Sequence, residues 1–125
     1  MLPYDRGFNP PAPVVGVTVL HPSGEARRAV LRAKLDTGAD ITVIPARTIV
    51  QLRIMPHGQI WVRGYDGTHM RRRVYYVRLV VEGDDLPSVR CIAAERGDVL
   101  LGRNVLNRFT TTLEGKNLTF DLRDP

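Results

Sequence analysis

The sequence predicts an all-β fold: one closed or sandwich-like domain with one or two short helices. Short apolar runs rich in Val, Ile, Leu and Thr alternate with turn signals built from Gly, Pro, Asn and Asp. A length of 125 residues suits a single domain with its own core. No apolar run approaches the roughly 20 residues that a membrane-spanning helix requires, so we expect no membrane insertion.

The chain divides into a short arm and one domain. Residues 1–13 contain Pro3, Pro10, Pro11 and Pro13, which disfavour both helices and central strands, and we expect an extended arm there. Residues 14–125 form the domain. Its first elements are a strand over 14–20, a turn at 21–24 and a strand over 25–35, which together read as a long hairpin.

The remaining elements follow the same logic. Pro45 suits the first position of a short helix, because its missing N–H is one that a helix start leaves unpaired. Asp66-Gly67 supplies a hairpin turn between two long arms, which makes 64–68 a candidate flap tip. We predict turns at 83–85, 95–98 and 114–117, helices over 45–52 and 103–108, and strands over 41–44, 59–63, 70–82, 88–94, 99–101, 109–113 and 118–122.

Charge and cysteine content limit the partners and the compartment. The net charge of +5 could suit a polyanion, but the densest basic run, residues 71–73, lies on a strand and alternates between two faces, which argues against nucleic acid. The three His residues lack ligand spacing, so we expect no metal. The single cysteine, Cys91, lies in an apolar run, and no secretory signal is visible; we expect a buried thiol and cytoplasmic residence.

One loop carries the chemistry. Asp36-Thr37-Gly38-Ala39-Asp40 follows an apolar strand, so Asp36 sits at a loop tip where Gly38 permits a tight turn. A lone carboxylate there can simply bond to its own backbone in an Asx-type turn. About sixty residues downstream, the apolar run Val99-Leu100-Leu101 ends in Gly102 and leads into a helical turn.

These motifs and their order resemble the retropepsins, the single-domain aspartic peptidases of retroviruses, retroelements and some bacteria. Asp36-Thr37-Gly38 resembles the catalytic triplet, 64–68 the flap tip, Leu100-Leu101-Gly102 the hydrophobic-hydrophobic-Gly signature, and Gly102-Arg103-Asn104 the helix start of the family. The resemblance covers residues 14–122. The tip departs from the Gly-rich retroviral flap, since it offers Tyr65 and Asp66.

The resemblance implies a closed-barrel acid-protease fold, an aspartic endopeptidase activity on extended polypeptides, and a two-fold homodimer. Hydrolysis needs one ionised and one protonated carboxyl group, and the chain holds one Asp-Thr-Gly triplet, so the second Asp36 must come from another copy. No organic cofactor or metal is implied. The alternative is a catalytically silent dimer of the same fold that binds peptides or serves as a dimerisation module.

The resemblance also implies roles for individual residues. Asp40 and Arg103 should pair, and a buried pair would bind the active-site loop to the helix; Ile41 beside them predicts an apolar subsite. The arm could be a disordered leader, a dimer strand or a segment removed by self-cleavage, and the strands at 14–20 and 118–122 could hold the dimer. The candidates are catalytic Asp36, Thr37 and Gly38; substrate-binding Ala39, Asp40, Ile41, Gly64, Tyr65, Asp66 and Gly67; and structural Asp40, Gly102, Arg103 and Asn104.

Overall fold

The computed structural model describes residues 1–23, 26–64 and 66–124, and most of them lie in β-strands. The two helices are short: α1 (Ala46–Gln51) and α2 (Arg103–Leu106). The strands are β1 (Leu2–Pro3), β2 (Val14–Leu20), β3 (Arg28–Leu35), β4 (Thr42–Pro45), β5 (Gln59–Arg63), β6 (His69–Arg73), β7 (Tyr75–Val81), β8 (Asp84–Ala94), β9 (Val99–Leu101), β10 (Thr110–Glu114) and β11 (Thr119–Arg123).

Six strands close into a barrel in the order β2-β3-β9-β4-β8-β7. This confirms the prediction of an all-β, closed-barrel fold with two short helices. Strand β9 is parallel to β3 and antiparallel to β4, so it separates the two strands that the Asp36 loop connects. The loop therefore crosses the end of β9 and lies against the start of α2, where distant parts of the sequence meet.

The barrel interior is filled by alternating aliphatic side chains. On β2, Val15, Val17 and Val19 are buried, while Gly16 between them is exposed, as period-two alternation predicts. Cys91 on β8 is a fully buried free thiol, which confirms that it packs in the core. Burial raises the pKa of its thiol to about 12, because a thiolate would be stranded in an apolar environment.

Two predicted boundaries are wrong for identifiable reasons. The strand predicted over 70–82 is two strands, because Val74 between them is buried and exchanges backbone hydrogen bonds with the 57–58 segment, at 2.7 Å and 2.9 Å. Strand β8 begins at Asp84 instead of residue 88, because the turn is Glu82-Gly83, both at positive φ. Pro87 is tolerated within β8 because the pairing with β7 shifts register opposite it, between Val77 and Leu79.

A second sheet, in the order β1-β11-β10, joins the two ends of the chain. Leu2 pairs with Phe120, and the Tyr4 ring packs on the Phe120 ring at 6.0 Å, so the arm docks on its own chain. Since β11 has a neighbour on both sides and β2 lies inside the closed barrel, neither strand has a free backbone edge for a second chain, and the expectation that these two strands hold a dimer stays a prediction. Of the strands described, none pairs with the outer edge of β10.

The hairpin of β5 and β6 forms a separate two-stranded sheet outside the barrel, at the position expected for the flap. Its β6 residues are all exposed, and its β5 residues alternate between exposed and half-buried. No helix in the described part of the chain is long and apolar enough to cross a membrane.

Candidate active site

Asp36 lies at the end of β3, and the backbone around it is held from two sides. Its N–H donates to the carbonyl oxygen of Leu101 on β9 at 3.0 Å, and its own carbonyl accepts the N–H of Ala39 at 3.2 Å. The Gly38 N–H donates to the Asp36 Oδ1 atom at 2.9 Å. The Asx-type turn is therefore present, and it orients the carboxyl group without using its second oxygen. Asp36 is half-buried, whereas Thr37 and Gly38 are exposed.

Gly102 allows the loop and α2 to meet. It is the last residue before the helix, with φ −84° and ψ 178°, an extended conformation open to any residue. The reason for glycine is space: a Cβ atom here would lie 2.6 Å from the carbonyl carbon of Ile41 and 2.7 Å from its oxygen. Because both atoms are backbone, neither can move aside without moving the loop that carries Asp36.

Asn104 fastens β4 and β8 to the start of α2. Its Oδ1 atom accepts the N–H of Thr42 at 3.0 Å and the Thr42 hydroxyl at 2.9 Å. Its Nδ2 group donates to the carbonyl oxygen of Arg90 at 2.8 Å, and the Thr42 hydroxyl accepts the N–H of Gly102 at 3.2 Å. Thr42 is fully buried, so this network satisfies polar groups that water cannot reach.

Asp40 and Arg103 form an ion pair, and Arg103 also donates to the Thr37 carbonyl oxygen at 2.7 Å. In the single chain the Asp40 side chain is 84% exposed and the Arg103 side chain is 44% exposed, so the pair is not buried. The strong link between loop and helix that a buried pair would provide is therefore not expected of this chain alone. An exposed pair contributes about 0.2–1 kcal/mol, because water screens the charges. Its role in one chain is to orient the loop.

A cleft of about 590 Å³ lies between this loop and the flap hairpin. The sequence predicted that Ala39, Asp40 and Ile41 would contact substrate, and all three line it. Asn104, expected to be structural, lines it too. The lining also includes residues that the sequence did not assign to the site, because only the folded barrel and flap hairpin bring them there: Val43, Ile60, Val62, Arg63, Arg90 and Ile92.

Trp61 also lines the cleft. The structure leaves it 63% exposed, which rules out burial against the core of its own chain. The Arg71 guanidinium lies over its ring, 5.1 Å from the centroid. Cross-strand partners share a face of the hairpin, so this pair stiffens the hairpin by a cation–π contact.

The flap tip is built around Asp66. Its Oδ1 atom accepts the Thr68 hydroxyl at 2.7 Å and the Thr68 N–H at 3.1 Å. The bond from the Thr68 hydroxyl, and to a lesser extent the bond from its N–H, lowers the pKa of the Asp66 carboxyl group below its ordinary value. Gly67 has φ +85°, which explains glycine at that position of the turn. Gly64, Asp66 and Gly67 are absent from the described cleft lining, and Tyr65 lies outside the described residues.

Within residues 1–23, 26–64 and 66–124, no three His, Cys, Asp or Glu side chains are grouped so that they could hold a metal ion. The chemistry that the loop can offer is that of a carboxyl group. Asp36 is oriented by its own turn, and the next acid along the chain, Asp40, is paired with Arg103.

Comparison with protein families and known structures agrees with the motifs. A family model described as "gag-polyprotein putative aspartyl protease" matches residues 25–108, more than half of the chain. A search of curated protein sequences gives no match.

Three solved structures share the fold at low sequence identity. The simian foamy virus protease is 20% identical with a TM-score of 0.57, and the match covers 75% of this chain and 91% of that one. The EIAV protease, solved with the inhibitor HBY-793, is 21% identical with a TM-score of 0.57, over 77% and 86% of the two chains. A retropepsin-like aspartic protease from Rickettsia conorii is 15% identical with a TM-score of 0.65, over 98% and 88%.

Proposed function

The chain belongs to the retropepsin-like aspartic protease family, and from that premise we propose that it is an endopeptidase that cuts extended polypeptides as a homodimer. The observation that carries the proposal is the position of Asp36. Its carboxyl group stands at the tip of a loop that is anchored to β9 and to α2, beside a cleft large enough for peptide side chains.

The proposed chemistry needs two carboxyl groups with different roles. An ionised carboxylate removes a proton from water, and the water oxygen attacks the peptide carbonyl carbon; a protonated carboxyl group supplies a proton to the carbonyl oxygen. Asp40 is a poor second partner because its carboxylate is held by Arg103. Two Asp36 side chains across a two-fold axis would share one proton, since like charges about 3 Å apart resist joint ionisation.

Exposure of the loop tip supports the dimer. Thr37 and Gly38 are exposed in the single chain although they lie between the anchored residues Asp36 and Ala39. In a two-fold dimer with Asp36 at the axis, these two residues would face their copies. The Thr37 hydroxyl would then find a partner across the axis, and Gly38 would leave room for the substrate backbone.

The proposed strand pairing between the two copies uses the free edge of β10. It follows α2 by only three residues, and its outer backbone groups lack a partner strand in the described chain. Its Leu113 side chain is 53% exposed in the single chain and would pack against the second copy. Antiparallel pairing of β10 with β10 of a second copy would join the two terminal sheets and satisfy both edges.

Substrate would lie extended between the loop and β5. The neighbours of β5 are β6 on one side and open cleft on the other, so its backbone can bond to an added strand. Flap motion would then exclude water from the reacting bond. We propose cytoplasmic residence for the enzyme, in keeping with the free Cys91 thiol.

The test is cleavage of unfolded proteins by the wild type and by Asp36→Asn, from acidic to neutral pH, with new termini read by mass spectrometry. We expect new termini from the wild type alone, while both proteins sediment as dimers. Absence of cleavage by a wild-type dimer at every pH would refute the endopeptidase and favour a peptide-binding module of the same fold.

A further inference from the structure

The cleft beside the active-site loop has an unbalanced charge. Its described lining contains one acid, Asp40, and two bases, Arg63 and Arg90. The Asp40 carboxylate is already paired with Arg103, which stands outside the lining. Neither Arg63 nor Arg90 has an ion pair or a side-chain hydrogen bond with another described residue. The charges left without an internal partner in this cleft are therefore both positive.

The two arginines stand on opposite walls. Arg90 lies on β8, two residues before Ile92, so both side chains project from the same face of the strand. The Arg90 backbone is fixed, because its carbonyl oxygen accepts the Asn104 amide. Arg63 ends β5 and belongs to the flap hairpin. A chain passing through the cleft would run between a cation on the barrel and a cation on the flap.

The flap hairpin adds to the positive electrostatic potential of the cleft. Strands β5 and β6 carry Arg63, Arg71, Arg72 and Arg73 and contain no acidic residue. The apolar part of the cleft, formed by residues such as Ile41, Val43 and Ile92, lowers the local dielectric. A guanidinium group beside such a surface attracts a carboxylate more strongly than one in open water, and its planar donors match a carboxylate in two-point fashion.

We propose that this cleft is a subsite for an acidic side chain, so that the enzyme prefers polypeptides with Asp or Glu within a few residues of the cleaved bond. Arg90 provides the fixed contact, and Arg63 adds a second contact when the flap closes. The inference rests on the proposed function for its use of the cleft as a substrate site. It goes beyond that function by naming the chemical class of the preferred sequence, and in a two-fold dimer the preference would occur on both sides of the cut.

Binding tests the inference without requiring cleavage. Asp36→Asn protein is titrated with three pools of capped octapeptides that are identical except that two positions are Glu, Gln or Lys. We expect the Glu pool to bind about tenfold more tightly than the Gln pool, as a charged hydrogen bond allows, and the Lys pool to bind most weakly. Equal affinities for the Glu and Gln pools would overturn the inference.

Variants assign the preference to the two arginines. Arg90→Gln combined with Arg63→Gln should bring the Glu and Gln pools within about twofold of each other, and Arg90→Glu should favour the Lys pool. Arg28→Gln is the matched control, because Arg28 is an exposed strand residue outside the cleft lining; it should keep the preference. A preference that survives the double variant would also overturn the inference.

Cleavage profiles separate this inference from the proposed function. Wild-type enzyme acting on denatured proteins should give cut sites enriched in Asp and Glu at one or more nearby positions, and the double variant should lose that enrichment. If the Glu pool binds tightly but the wild type cuts nothing, the endopeptidase is refuted and the acidic subsite stands. If the wild type cuts without acidic enrichment, the endopeptidase stands and the subsite is refuted.

Discussion

Replacing Gly102 by alanine tests the packing that holds the active-site loop against α2. The added Cβ atom would lie 2.6 Å from the Ile41 carbonyl carbon, 2.7 Å from its oxygen and 3.0 Å from its nitrogen. Real side-chain carbons do not come so close to backbone, so the loop and the helix must separate. The backbone of Gly102 suits alanine, with φ −84° and ψ 178°, so any cost arises from the collision alone.

The expected cost follows from this geometry. Forcing one extra carbon into a packed site costs about 1–3 kcal/mol, and contact with backbone on three atoms places this variant near the middle of that range. A loss of about 2 kcal/mol would lower the melting temperature by roughly 6–10 °C in a domain of this length. Denaturant unfolding measures the same loss, provided that both proteins are compared at one concentration, because dimerisation shifts apparent stability.

Gly16→Ala is the matched control. Gly16 lies on exposed β2 backbone, and a Cβ atom there would meet nothing within 4 Å. We expect its stability to equal or slightly exceed that of the wild type, because alanine restricts the unfolded chain. If Gly102→Ala unfolds at the same denaturant concentration as Gly16→Ala, the loop does not depend on close approach of Gly102 and Ile41, and the reasoning is refuted.

Three further results are expected. Arg103→Gln should lower the free energy of unfolding by only about 1 kcal/mol, because its ion pair is exposed; a loss several times larger in denaturant unfolding would contradict this. In an NMR titration, Thr68→Val should raise the pKa of Asp66 toward its ordinary value. Since the folded-state pKa lies below that value, the contact between Thr68 and the Asp66 carboxylate stabilises the tip at neutral pH, and this stabilisation is lost as the pH falls through the folded-state pKa. An unchanged pKa in the variant would disprove the contact. Cys91, with its pKa raised to about 12, should remain unreactive toward a thiol reagent at pH 8 until the protein unfolds; rapid labelling of native protein would contradict its burial.

Local patterns predicted most of the fold. Alternating aliphatic runs gave the barrel strands, and Asp36-Thr37-Gly38 gave the loop, because both depend on neighbours in sequence. The break at Val74 was missed, since a continuous β-type pattern does not reveal where a strand must leave one sheet for another. Local patterns also could not predict the docking of β1 on β11, because that pairing joins residues over a hundred positions apart.

The site shows the same division. Residues 36–41 lie on one loop and were found together, whereas Arg90 and Arg63 come to the cleft from β8 and the flap hairpin. Arg90 is placed by the pairing of β8 with β4 in the closed barrel, whereas Arg63 belongs to a hairpin outside the barrel. The solvent exposure of the site residues could not be predicted from the sequence either. The pairing of Asp40 with Arg103 was predicted from the family resemblance, but its exposure to solvent depends on how the loop projects.

Subunit mixing tests the central claim most directly, that two chains each supply one Asp36 to a shared site. Wild-type protein at fixed concentration is equilibrated with rising amounts of Asp36→Asn, and cleavage of an unfolded protein is followed, with an unrelated folded protein added as the control. The account predicts that activity falls to about half at equal amounts and toward zero in excess, since mixed dimers hold one Asp36. Activity that stays constant while mixed dimers form would contradict it.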